Sequence, residues 1–187
     1  MPDRLLFVTS NPGKVREVET ILGRPVERID LDLPEIQALD VEVVARHKAE
    51  TAFARLGRPV MVEDTGLYIA ALHGLPGAFV RWFLGTIGRN GLCALIPATA
   101  DRTAHAKTAI AVADASGIQI FSGDTVGIIA LAPAGDSGFG WDPIFRPDGA
   151  TLTFAEMTQV EKNHYSMRRR ALDHLRTRLE SPLARLD

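Results

Sequence analysis

Two adjacent carboxylates, Glu63 and Asp64, follow the apolar run Val60-Met61-Val62 and precede Thr65-Gly66. Carboxylates in this arrangement can hold a hard divalent cation or take a proton from an attacking water. The apolar run has the length and partial β-branching of a buried strand, and Gly66 predicts a tight turn directly after it. The pair is therefore expected at a strand end, where α/β proteins tend to keep their chemistry. A Glu-Asp pair alone equally fits a helix cap or a solvated loop, so its meaning depends on the rest of the chain.

A cationic partner is offered near the N-terminus, where Leu5 to Val8 reads as a strand and Thr9-Ser10-Asn11-Pro12-Gly13-Lys14 follows. Val15, Val18, Ile21 and Leu22 then recur at helical spacing. Asn11 is a good N-cap and Pro12 suits a first helical turn, whose free amides point outward with the positive end of the helix dipole. That geometry suits a phosphate, and Lys14 adds a charge that capping does not require. The segment is neither a Walker A loop nor a dinucleotide fingerprint, and capping alone also explains Ser10, Asn11 and Pro12. Lys48 lies near the edge of the apolar stripe of a helix predicted over Val41 to Leu56, where a solvated lysine is the ordinary reading.

The remaining elements must carry these groups. Val26 to Leu31 reads as a strand, and Pro34 places Glu35 in a loop. Gly74-Leu75-Pro76-Gly77 punctuates the chain before a compact helix over Ala78 to Leu84, with Trp82 and Phe83 expected as core anchors, and a further short helix over Arg89 to Ile96. Thr103 to Val112 and Ile118 to Val126 are strands joined by the turn Asp114-Ala115-Ser116-Gly117, with β character continuing to Leu131. Phe139 and Trp141 lie among the glycines of Gly138-Phe139-Gly140-Trp141-Asp142-Pro143 and suit either base stacking or the core of a turn. Thr158 and Glu161 have capping-box spacing, and Leu172, Leu175 and Leu179 stripe a terminal helix. Arg168 falls on its packed side, whereas Arg169, Arg170, Arg176 and Arg178 face solvent and residues 180–187 form a frayed tail. The sum is one twisted mixed sheet with helices packed around it.

The 187 residues, 46% hydrophobic, fit a single domain. A formal charge of −2 argues against a general nucleic-acid or membrane-surface protein. Cys93 is the single cysteine, which excludes an intrachain disulfide and a cysteine-based metal cluster and suits a reducing compartment. No apolar run approaches a membrane span or a signal peptide, so a cytoplasmic location is expected.

Read together, TSNPGK at the first turn, DLPE at Asp32 to Glu35, VEDTGL at Val62 to Leu67, GLPG followed by RWFL, FGWDPIF at Phe139 to Phe145 and AEM...EKN...S-x-R near the end resemble the inosine triphosphate pyrophosphatase family, over about Leu5 to Leu175. The resemblance implies an α/β fold with two lobes, a long twisted mixed sheet flanked by helices and a central nucleotide cleft. It also implies a homodimer and magnesium-dependent hydrolysis of ITP, dITP and XTP to nucleoside monophosphate and pyrophosphate. It assigns Thr9, Asn11 and Lys14 to the triphosphate, Lys48 and Lys162 to further ligand contacts, and Glu35 and Asp64 to the metal. Asp64 also matches the proton acceptor, Thr65 lines the same site, and Phe139, Gly140, Trp141 and Asp142 match the loop that holds the base. The chain has 4 lysines, and 3 of them occupy these positions.

The chemistry asked of such residues is neutralisation of a polyanion, alignment of water on the α-phosphorus and stabilisation of departing pyrophosphate. Asp64, with Glu63 beside it, is the expected base. An arginine fork suits the oxygen at position 6 of hypoxanthine and xanthine and leaves donor facing donor at adenine, which makes Arg168 the expected reader. One departure from the family pattern stands out: Ser166-Met167-Arg168 replaces Ser-His-Arg, so a hydrogen-bonding ring is absent and His164 is the nearby histidine. A pyrophosphatase for modified pyrimidine nucleotides and a non-catalytic nucleotide-binding protein are the alternative readings.

Overall fold

The computed structural model describes residues 5–180. In chain order these form β1 (Leu5–Val8), α1 (Pro12–Leu22), β2 (Val26–Ile29), α2 (Val41–Leu56), β3 (Val60–Ile69), β4 (Pro76–Gly77), α3 (Val80–Ala94), β5 (Thr103–Asp114), β6 (Gly117–Ile129), β7 (Phe145–Pro147), α4 (Gln159–Tyr165) and α5 (Met167–Glu180). All seven strands belong to one sheet in the order β2-β1-β3-β5-β6-β7, with β4 paired to β3. The sheet is mixed: β1 runs parallel to β2 and β3, while β4 is antiparallel to β3 and β7 to β6.

Local chemistry sets the helix ends. Asn11 Oδ1 accepts from the Gly13 amide at 2.8 Å to open α1, and Asp40 Oδ1 accepts from the Glu42 amide at 2.9 Å to open α2. The capping box of Thr158 and Glu161 forms as expected at α4.

Three expectations are corrected. There is no turn at Gly66: β3 runs unbroken to Ile69, and its far end is held by pairing of Leu67 with Gly77 and Tyr68 with Pro76. Trp82 is not a core anchor but 69% exposed, because Val80 and Phe83 take the packed face of their helix. The two helices expected over 78–96 are one element, α3, kinked where Gly88 adopts φ 68° and ψ −177°. The expected frayed tail beyond Glu180 lies outside the described residues, and Glu180 itself still closes α5.

The described residues divide into two compact units. The first takes those within Met1–Asp64, Thr108–Gly123 and Arg168–Asp187, and its core joins Leu5, Phe7, Val18, Ile21, Met61, Ile110, Leu172 and Leu175. The second, Thr65–Lys107 and Asp124–Met167, has its own core around Leu67, Ile69, Leu92, Ile144, Phe145 and Phe154.

Candidate active site

Successive residues of an extended strand project to opposite faces of the sheet, and Glu63 and Asp64 accordingly meet different partners. Glu63 Oε1 accepts from Lys14 Nζ at 2.9 Å and from Arg168 Nη2 at 3.0 Å, and Oε2 accepts from Arg168 Nε at 2.8 Å. Its side chain is 1% exposed. Burial pushes its pKa up, but Arg168 first and Lys14 next outweigh that and hold the carboxyl at about 2. Arg168 is fully buried too, and its remaining nitrogen, Nη1, donates to Glu17 Oε2 at 2.6 Å. Loss of water pushes the guanidinium toward neutrality, yet Glu63 and Glu17 prevail and hold its proton more firmly than usual.

Asp64 is the opposite case. Its Oδ1 accepts from Lys48 Nζ at 3.3 Å, and its Oδ2 is buried without a hydrogen-bond partner. Burial dominates over Lys48 and Lys14, and Glu35 adds to it, so the carboxyl is pushed up to about 6. Lys48, on α2, also donates to Glu35 Oε1 at 3.1 Å. Burial draws its pKa down, but Asp64 and then Glu35 reverse the sign and raise it. The ordinary reading of Lys48 as a solvated lysine therefore does not hold: it is the ammonium on which two carboxylates converge.

These groups fit a magnesium ion in one specific way. The donors are oxygens, two carboxylates share one cationic position, and Asp64 Oδ2 is a buried acceptor with nothing to accept from. Among the described residues no group of three or more His, Cys, Asp or Glu side chains is arranged to hold a metal. A protein-only cage is thus missing, but magnesium typically takes one or two carboxylates and completes its shell with waters and substrate phosphates. Glu35 and Asp64 are the residues that would hold it.

The turn between β1 and α1 places Thr9 Oγ1 as acceptor for the Asn11 amide at 3.1 Å, so Thr9 and Asn11 hold the turn in shape. Lys14, one helical turn on, keeps 20% of its side chain exposed while its ammonium rests on Glu63.

The aromatic loop lies in the second unit. Asp142 Oδ2 accepts from the Phe139 amide at 2.8 Å and from Lys162 Nζ at 2.7 Å. Lys162 Nζ sits 5.2 Å from the ring centroids of both Phe139 and Phe154, a cation–π arrangement on a buried ammonium. Phe139 remains 43% exposed, whereas Trp141 is buried edge-on against Phe145 at 5.4 Å. The two rings therefore differ in environment, Phe139 partly exposed beside Lys162 and Trp141 packed in the core. Gly140 offers its carbonyl to Arg89 Nε at 2.7 Å. Thr65 is half-buried on β3. Met167 is buried in the second unit's core, and exposed His164 hydrogen-bonds through Nδ1 to the Val160 carbonyl.

Of the residues singled out in the sequence, the first unit thus gathers Lys14, Glu63 and Arg168 into one network and Glu35, Lys48 and Asp64 into another. The second unit joins Phe139, Asp142 and Lys162. Arg168 donates to Glu63 from Nε and Nη2 and to Glu17 from Nη1. Sequence reasoning missed Glu17. The available signal was its spacing, three residues after Lys14 on the same helix, which places both on one face.

The fold and these clusters define a mixed α/β protein that concentrates carboxylate–ammonium pairs in one unit and an aromatic loop in the other. The Ham1 family model matches residues 5–178, and the chain belongs to the Ham1 family. It is 45% identical over 172 residues to a dITP/XTP pyrophosphatase of Thermococcus kodakarensis, covering 90% of this chain and 93% of that protein. It is 44% identical over 172 residues to an inosine triphosphate pyrophosphatase of Batrachochytrium dendrobatidis, covering 90% of each. Among solved structures, a HAM1 protein of Coxiella burnetii superposes with a TM-score of 0.83 at 29% identity, covering 94% of this chain and 98% of that one.

Proposed function

We propose that this chain hydrolyses non-standard purine nucleoside triphosphates, ITP, dITP and XTP, to nucleoside monophosphate and pyrophosphate. The names of relatives more than 40% identical over nine-tenths of the chain support the reaction and substrate class. The observation that carries the mechanism is Asp64: a buried carboxyl raised to about 6, with one oxygen on Lys48 and the other without a partner. A base poised near neutral pH suits deprotonation of water better than an ordinary aspartate does.

Lys14, with Thr9 and Asn11 shaping its turn, receives phosphate oxygens at the N-terminal end of α1, where amides and dipole favour an anion. Lys48 takes a further phosphate oxygen. Magnesium held by Glu35 and Asp64 supplies positive charge to the phosphate chain. Phe139, partly exposed, offers its ring to the base, and Lys162, held by Asp142, is a donor that suits an oxygen at position 6 and opposes an amino group there. Thr65 lines the site beside Asp64, and Gly140 and Trp141 shape the loop. A homodimer and a cytoplasmic location belong to the same reading. Sedimentation is expected to show about twice the 20.3 kDa chain mass, and a monomer at every concentration refutes the dimer.

The test is pyrophosphate release from ITP, XTP, dITP, ATP, GTP and dTTP, with magnesium and then with chelator, in native chain and Asp64→Asn. Metal-dependent turnover favouring ITP, dITP and XTP, lost in the variant, is expected. Preference for a pyrimidine, or binding without turnover, overturns the reading.

A further inference from the structure

The aromatic loop of the second unit is tied down at both ends. Ser137 donates its amide to the Ala155 carbonyl at 3.3 Å, and the amide of Asp142 returns to the Phe139 carbonyl at 3.1 Å. One oxygen of Asp142 holds both the Phe139 amide and Lys162. Between these ties stands Gly140, whose carbonyl accepts from Arg89 Nε at 2.7 Å. Arg89 belongs to α3, 51 residues away in sequence, and it reaches the loop one residue from Phe139.

A second side chain of α3 meets the same residue. A Cβ built on Gly140 would lie 3.9 Å from Leu84 Cδ1, an ordinary van der Waals contact. Leu84 and Arg89 are five residues apart, and on an unbroken helix turning about 100° per residue they would diverge by about 140°. They address one residue because α3 is broken between them. Gly88 has φ 68° and ψ −177°, a region essentially reserved to glycine, and no atom crowds the place a Cβ would take. Glycine is thus required there by backbone conformation and not by space. The break lets the helix pass the loop with Leu84 before it and Arg89 after it.

We propose that Arg89, aimed by the break at Gly88, is a positioning residue for base recognition: its hydrogen bond to the Gly140 carbonyl fixes the backbone beside Phe139, so that the ring is set before a ligand arrives. The inference rests on the reading of this loop as the holder of the base, and it adds a residue that acts on the base only through Gly140. A bond from a guanidinium to a carbonyl is charge-assisted and stronger than a neutral one. A loop fixed in advance loses less conformational freedom on binding.

Arg89 is exposed, so its replacement leaves both cores intact. Arg89→Met keeps an apolar stem and removes the donor, and Arg89→Lys returns a charged donor. Inorganic tripolyphosphate, which has no base, separates the loop from the phosphate end of the site. Arg89→Met is expected to raise the KM for dITP about three- to tenfold with kcat within about twofold, and to leave calorimetric affinity for tripolyphosphate unchanged. Arg89→Lys should recover most of the loss. In a Gly88→Ala background Arg89→Met should add nothing, because the break and the hydrogen bond act as one device.

The second readout needs no ligand. In Arg89→Met, amide hydrogen exchange over 138–142 is expected to quicken about tenfold while β5 keeps its native rate. Unchanged exchange over 138–142 overturns the proposal, and so does a loss of tripolyphosphate affinity equal to the rise in KM for dITP, which would mark Arg89 as a charge for the phosphates. A KM for dITP unmoved by Arg89→Met but raised by Phe139→Ala overturns it as well. If Phe139→Ala also leaves that KM unchanged, the base reading of the loop fails and the proposal with it, whatever the exchange shows.

Discussion

Two neighbouring carboxylates are shifted in opposite directions here, Glu63 down and Asp64 up, because one is surrounded by cations and the other is mainly desolvated. Glu63, at about 2 against an ordinary 4.5, gives stability that is complete above pH 4.5 and lost as pH falls toward 2, on the order of 3 kcal/mol. Asp64, at about 6 against 3.8, has the opposite sign: its ionised form costs stability, and the cost grows as pH rises from 3.8 to 6. In chelator at pH 7.5, Asp64→Asn is therefore expected to melt higher than the native chain, by an amount corresponding to about 1–3 kcal/mol. The gain should vanish near pH 3.5, where both states carry a neutral group. Thermal melts across that range check it, and an unchanged or lower melting temperature at pH 7.5 refutes the burial argument. Activity moves the other way, falling by about 10² to 10⁴ if Asp64 is the base. With magnesium present, the acid limb of the rate profile should lie at or below about pH 6, since a cation favours the ionised carboxyl. Glu63→Gln leaves Arg168 buried beside a neutral amide and should cost about 3–5 kcal/mol by denaturant unfolding. The sequence made both carboxylates visible because Glu-Asp after an apolar run is conspicuous. It concealed their division of labour, which depends on cations 49 residues before and 105 residues after Glu63.

The elements that carry these groups were legible where the signal is local. α1, α2 and α4 begin at side chains whose capping role follows from residue type alone. β3 was not, because Glu63-Asp64-Thr65 interrupts the apolar pattern of a strand, and what keeps it extended is a return of the chain at β4 together with cations on neighbouring helices. Trp82 was misplaced because an apolar run has no visible outer face until its helix is docked. The aromatic loop depends on Gly138, which has φ +75°, and a Cβ there would lie 2.2 Å from Asp142 Oδ2. Gly138→Ala is therefore expected to displace the carboxylate that holds both the Phe139 amide and Lys162. It should raise KM for dITP while leaving tripolyphosphate binding unchanged, since the altered contacts belong to the aromatic loop. A substitution that weakens both ligands equally contradicts the assignment of this loop to the base.

At the scale of the whole molecule, length and composition suggested one domain, and the expectation of two lobes came from the family resemblance and not from periodicity, because each core is assembled from separated segments. Two cores alone would allow two independent melting events. The strands argue otherwise. β3 is divided between the units after Asp64, β5 after Lys107 and β6 after Gly123, so three strands contribute residues to both. Losing either core releases one half of each of these strands and leaves the other half continuous with an unfolded chain. A strand half without its ladder exposes amides and carbonyls whose pairing the fold otherwise satisfies. Unfolding is therefore expected as a single cooperative transition, with calorimetric and van't Hoff enthalpies equal within about 10%. Far-ultraviolet dichroism and Trp141 fluorescence, followed in a Trp82→Phe background, should fall together in denaturant. Two resolved heat-absorption peaks, or a Trp141 signal lost before the backbone signal, would show that each unit is stable by itself.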